Sequence, residues 1–215
     1  MKGRIYYLQI LMGLGWILSG SISLAKEPNH LLLVAAAHND SQKSAAAFEH
    51  VHALGIDADG RTLFLGAHTG LFRRENGGRS WQKVALPAST SHPDVMAITP
   101  DPKNSKTIYI GAHEAGVLKS ADGGATWKEI NSGLGGVDVH GIAIDPNDGK
   151  LHALVRDKGE GIYRSTNGGG KWIRVDDGPG GEVKGLYSVN ISTGMGGIFL
   201  YAPTAEGLKR NPDCF

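Results

Sequence analysis

The chain has 215 residues, 20% charged and 40% apolar, with a formal net charge of +1. This is the balance of a folded globular protein of about one to two domains; with no long basic or acidic block, nothing argues for an anionic membrane surface, and no nucleic-acid partner is expected. The 32 glycines, roughly twice ordinary usage, lie among short apolar runs with no collagen period, so they point to many tight turns between short strands.

The N-terminus reads as an export signal. Lys2 and Arg4 precede an apolar run from Ile5 to Leu18, and small residues from Ser21 to Ala25 follow, which predicts a signal peptide over 1–25 cleaved after Ala25. The run is shorter than the roughly 20 residues of a membrane span. The expectation is therefore a periplasmic or secreted protein with no stable span after cleavage, an uncleaved anchor being the alternative. Residues 26–47 read as a leader or linker. Cys214 is the one cysteine, so no intrachain disulfide forms and the fold rests on packing.

From residue 48 the chain repeats itself. "GLFRRENGGRSWQKV" from Gly70, "GVLKSADGGATWKEI" from Gly116 and "GIYRSTNGGGKWIRV" from Gly161 align, with Trp81, Trp127 and Trp172 standing 46 and 45 residues apart. A fourth copy, "GLKRNPD", starts at Gly207 and ends before its tryptophan. Each unit predicts four short strands: an apolar one ("HALGI", "VMAIT", "HGIAI"), an alternating one ("TLFLGA", "TIYIGA"), one of the form "GVLKS", and one starting at Trp. Four strands in about 40–45 residues is the blade of a β-propeller. The predicted fold is an all-β propeller with about four blades present, partial or small, over approximately 48–90, 91–135, 136–180 and 181–215.

The stretch "SADGGATW", Ser120 to Trp127, resembles the Asp-box (BNR) repeat, S-x-D-x-G-x-T-W. Its box positions are Ser120, Asp122, Gly124 and Trp127. The other copies depart in part, with Asn76, Gly78 and Trp81 in the first and Ser165, Asn167, Gly169 and Trp172 in the third. An Asp or Asn here closes a turn by accepting from backbone N–H groups two residues on. Glycine accepts a positive φ, and Trp buries its ring between strands. Asn in two copies keeps the acceptor and loses the charge, which favours a structural turn over an acid catalyst.

Tracing one blade puts the box turn at one end and the loops between strands two and three at the other, together with the inter-blade linkers. His50 and His52 start the first strand of unit one, and His140 that of unit three. His68 and His113 close second strands in "GAHTG" and "GAHEAG", and His92 lies in a linker. Six of the nine histidines thus fall at the end opposite the boxes. His50, His52, His68, His113 and His140 are the ligand-binding candidates, and His52, His68, His113 and His140 could hold Zn or Cu. Asp138 and Glu114 are weaker acidic candidates nearby. A structural role for a repeated "GAH" motif is the competing reading.

"HVHALGIDADGRTLFLGAHTGLFR" looks like the opening blade of exported bacterial Asp-box proteins labelled glycosyl hydrolases or sialidase-like, and is similar to assembly-factor propellers of photosynthetic membranes. The resemblance implies a binding or assembly module with a glycan or protein partner. A sialidase-like glycoside hydrolase is the alternative, and a metal-binding periplasmic protein using its histidines a third. The sialidase motif [FY]-R-I-P is missing, Arg73, Arg74, Arg164 and Arg210 sit within or beside box turns, and no carboxylate pair stands out, so no catalytic residue is assigned. About 3.7 units fit between Phe48 and Phe215. Three arrangements fit that count: a truncated or frameshifted product, which is favoured; a small propeller that borrows the strand "HLLLVAAA"; or pairing with another chain.

Overall fold

The structure is a computed structural model and describes residues 48–87, 89, 94–190 and 198–212, all within one compact unit, Asp40–Phe215. The signal peptide, the leader with its "HLLLVAAA" segment, His92 and Cys214 lie outside the described residues.

The described residues form fifteen strands and no α-helix. The first sheet holds β1 (Val51–Ile56), β2 (Thr62–Ala67), β3 (Gly70–Glu75) and β4 (Gln82–Lys83). The second holds β5 (Val95–Pro100), β6 (Ile108–Ala112), β7 (Gly116–Ser120) and β8 (Lys128–Glu129). The third holds β9 (Asp138–Ile144), β10 (Leu151–Arg156), β11 (Gly161–Ser165) and β12 (Ile173–Asp176). The fourth is three-stranded, with β13 (Tyr187–Asn190), β14 (Ile198–Thr204) and β15 (Gly207–Pro212). Within each sheet consecutive strands pair antiparallel in chain order. The four sheets are the blades of a four-bladed β-propeller, as the repeat predicts.

The core lies in the seams between blades. Phe64, Leu71, Val95, Ile108, Ile110 and Leu118 fill the first seam. Val117, Val139, Leu151, Tyr163 and Trp172 fill the second, and Leu154, Ile162, Leu186, Ile198 and Leu200 the third. A fully buried side chain such as Leu118 contributes about 1.5–3 kcal/mol relative to exposure, so the seams carry much of the stability. First strands also tie to one another: Thr99 Oγ1 on β5 donates to the Ile142 carbonyl on β9 at 2.7 Å, and Ser188 Oγ on β13 donates to that of Ile144 at 2.6 Å.

The box turns are satisfied from within. Ser120 Oγ accepts from the Gly124 and Asp122 amides at 2.8 and 3.3 Å and donates to Asp122 Oδ1 at 2.8 Å. Asp122 Oδ1 accepts from Ala125 N and Thr126 N at 3.0 and 2.9 Å, while Thr126 Oγ1 donates to Oδ2 at 2.5 Å. Those amides lie three and four residues on, not two, because Ser120 takes the nearer ones. The third copy repeats the pattern: Ser165 Oγ accepts from Gly169 N at 3.0 Å and Asn167 Oδ1 from Lys171 N at 2.9 Å. The first copy has Arg74 where the serine stands. There Asn76 turns away and donates Nδ2–H to the Gly60 carbonyl at 2.9 Å, and the Arg74 guanidinium lies over Trp81, 4.8 Å from its centroid.

Candidate functional site

At the other end of the blades the chain builds two like constellations. Three local features place them. The first is the glycine of "GAH". A Cβ on Gly66 would come within 2.7 Å of the Val95 carbonyl oxygen, and one on Gly111 within 3.0 Å of that of Val139. Only glycine lets the second strand of one blade approach the first strand of the next so closely.

The second feature is a β-bulge. Val51 pairs with Ala67 and Ala53 with Gly66, which leaves His52 as the extra residue. Val95 and Ala97 pair with Ala112 and Gly111 around Met96. Val139 and Gly141 pair with Val155 and Leu154 around His140. A bulge bends the strand and re-aims the extra side chain, so His52 and His140 depart from the regular alternation.

The third feature is an aspartate next to the first strand of the following blade. Asp94 precedes β5, and Asp138 occupies the equivalent place at the start of β9.

The result at the first seam is His52, His68 and Asp94, and at the second His113, Asp138 and His140. His68 Nδ1 lies 2.6 Å from Asp94 Oδ2 and 3.2 Å from His52 Nε2, and His52 Nε2 is 3.2 Å from Asp94 Oδ1. His113 Nδ1 and His140 Nε2 lie 3.0 and 2.9 Å from Asp138 Oδ1. Both Oδ1 atoms are buried without an aligned hydrogen-bond donor, although ring nitrogens stand close by. Burial holds His52 below its ordinary pKa against the pull of Asp94. It does the same to His140 against Asp138. Both shifts favour the neutral imidazole, the form that binds a metal or another ligand.

The four histidines thus form two pairs, each around its own aspartate. Ring centroids are 4.8 Å apart within each pair. His50 belongs to neither trio; its exposed ring leans on His68 at 4.9 Å. Glu114 adopts a positive φ of 60° in the turn after His113 and lines a different recess, with Asp138 and Arg156. Asp94 was not among the sequence candidates. The parallel between "DVMA" and "DVHG" carries its signal, but Met96 stands where His140 stands in the other copy and hides it.

His52 and His140 also line a cavity of about 130 Å³ to which the first strands of all four blades contribute, with Leu54, Met96, Ile142 and Tyr187 among its walls. At the third seam "EVKG" replaces "DVHG". There Lys184 pairs with Glu182, and Lys184 lines the same cavity. The recess bearing Arg73, Arg74 and Arg79 lies at the box end, away from the histidines.

The fold is shared with much larger proteins. An ancestral GH74 enzyme superposes with TM-score 0.57 and 18% identity over 77% of this chain and 23% of its own. The extracellular domain of BT3049, assigned to a hybrid two component system of B. thetaiotaomicron, gives 0.55 and 22% over 77% and 22%. The computationally designed Ika4 protein gives 0.51 and 17% over 76% of this chain and 91% of its own. The chain thus spans about a quarter or less of the GH74 and BT3049 chains. No protein-family model and no curated protein matches the sequence. At these identities the likeness defines the class, a β-propeller.

Proposed function

We propose that this chain is an exported, non-catalytic propeller of Asp-box type that acts as a binding module, its ligand seated at the end opposite the box turns. One observation carries this reading: the two ends of the same blades differ in chemistry. At the box end the polar side chains of the second and third copies are consumed by their own turns. At the opposite end histidines and aspartates converge around a cavity walled by all four blades. Tyr187, 57% exposed, supplies an aromatic face beside those polar groups, the combination that holds a sugar ring by stacking and hydrogen bonding. A glycan is therefore the ligand class. The N-terminal signal and the extracellular neighbour support export.

The test is amide NMR of the chain titrated with 3′-sialyllactose and with a xyloglucan heptasaccharide, alongside hydrolysis assays on nitrophenyl glycosides. Shifts confined to residues 50–54, 66–69, 94–98, 111–114 and 138–142, without nitrophenol release, support the reading. Turnover, shifts centred on the box turns, or no shift with either saccharide overturns it.

A further inference from the structure

We propose that each of the first two blade seams holds one divalent first-row cation, Zn(II) or Cu(II), bound by His52, His68 and Asp94 at the first and by His113, Asp138 and His140 at the second. The inference deepens the binding-face reading above and rests on it for the accessibility of that face.

Distance argues first. A cation about 2.0–2.2 Å from each of three N and O donors sets those donors roughly 2.9–3.4 Å apart. The His52–His68, His52–Asp94, His113–Asp138 and His140–Asp138 separations, 2.9 to 3.2 Å, match that spacing; His68 Nδ1 and Asp94 Oδ2, at 2.6 Å, stand at hydrogen-bond distance, and the donors of each trio all lie within 4.8 Å of one another.

Unused acceptor capacity argues second. A hydrogen bond joins His68 Nδ1 to Asp94 Oδ2 at 2.6 Å, and His52 Nε2 lies within hydrogen-bond distance of His68 Nδ1 at 3.2 Å. Asp94 Oδ1, by contrast, is buried with no aligned donor although His52 Nε2 stands 3.2 Å away, and a cation can take that lone pair in exchange for a shared proton.

Recurrence argues third. The same glycine approach and the same aspartate generate both trios, and a bulge aims one histidine in each. At the third seam "EVKG" puts Lys184 where the second trio has His140, Lys184 pairs with Glu182, and no histidine–aspartate trio forms there among the described residues. Two imidazoles and one carboxylate suit Zn(II) and Cu(II). Three protein ligands leave coordination positions open, here beside the cavity that His52 and His140 line.

The experiment uses the untagged chain, stripped with a chelator, then titrated with ZnCl₂ against a chromophoric competitor and analysed for zinc content. The expected stoichiometry is two ions per chain. His68→Ala and His113→Ala each reduce it to one, the double variant to none, and His50→Ala leaves it at two. The His68 and His113 side chains are 49% and 39% exposed, so the variants should keep the wild-type far-UV circular dichroism. Cu(II) bound to the wild type should show nitrogen hyperfine coupling in its EPR spectrum, and the double variant should lose it. The proposal is overturned by zinc binding no tighter than millimolar, by a single ion lost in both single variants, or by stoichiometry unchanged in the double variant. Saccharide shifts on this face in a chain that binds no zinc would sink the metal sites and leave the binding module standing. Zinc bound as expected with no saccharide shift would do the reverse.

Discussion

Ser120 is the residue on which the second box turn depends. It is fully buried, and its hydroxyl accepts the Gly124 amide while donating to Asp122. Ser120→Ala strands a buried N–H and is expected to cost about 1–3 kcal/mol, read from denaturant unfolding. Asp122 behaves differently because it is fully exposed. The Thr126 hydroxyl and amide, then Ser120, hold its carboxyl far below the usual carboxylate range. A depressed folded-state value means that the turn's contribution is complete above the ordinary carboxylate pKa and is lost only as pH falls through the depressed one. Carbon-detected NMR should find Asp122 still ionised at a pH where unperturbed aspartates are half protonated. Asp122→Asn should keep the fold, since Asn167 already makes the equivalent bond to Lys171 N.

At the scale of the element, the strand ends explain what the sequence discloses and what it hides. The blade period, the four-strand unit and the turn chemistry are local, so three aligned copies reveal them. The trios are not local, because each gathers side chains across a seam. His68 meets an aspartate 26 residues on, past a linker whose path no repeat pattern specifies. The bulges that aim His52 and His140 are invisible to an alternation rule that assumes regular pairing. The "GAH" glycines were legible as a motif, but their reason is contact with the next blade. Gly111→Ala should therefore overpack the second seam at about 1–3 kcal/mol, and zinc at His113, Asp138 and His140 should weaken while the first seam keeps its ion. Trp172 makes the same seam from the other side. It is 1% exposed and donates its indole N–H to the Ile130 carbonyl of the preceding blade at 2.6 Å. Trp172→Ala is expected to cost about 3–5 kcal/mol by chemical denaturation, a large part of the 5–15 kcal/mol of an ordinary domain.

For the whole molecule, stability is concentrated between blades and thin where the inner strands face the cavity they wall together. Leu54 and Tyr187, on the first strands of the first and fourth blades, are 66% and 57% exposed. Leu54→Gln should stay within about 0.5 kcal/mol of wild type, whereas Leu118→Ala in the first seam should cost about 2–5 kcal/mol. The pair of measurements tests whether the seams, and not the inner rim, hold the propeller together. The position of the two histidine–aspartate trios then acquires a mechanical meaning. In an array of repeats, cooperativity resides in the coupling between neighbours more than in any single module. Each trio draws its donors from two neighbours, so whatever it grips becomes a rivet across a joint. Loading the first two joints would make three blades melt as one body, while the fourth, whose joint to the third carries no such trio among the described residues and rests on the packing of Leu154, Ile162, Leu186, Ile198 and Leu200, would keep its own independence.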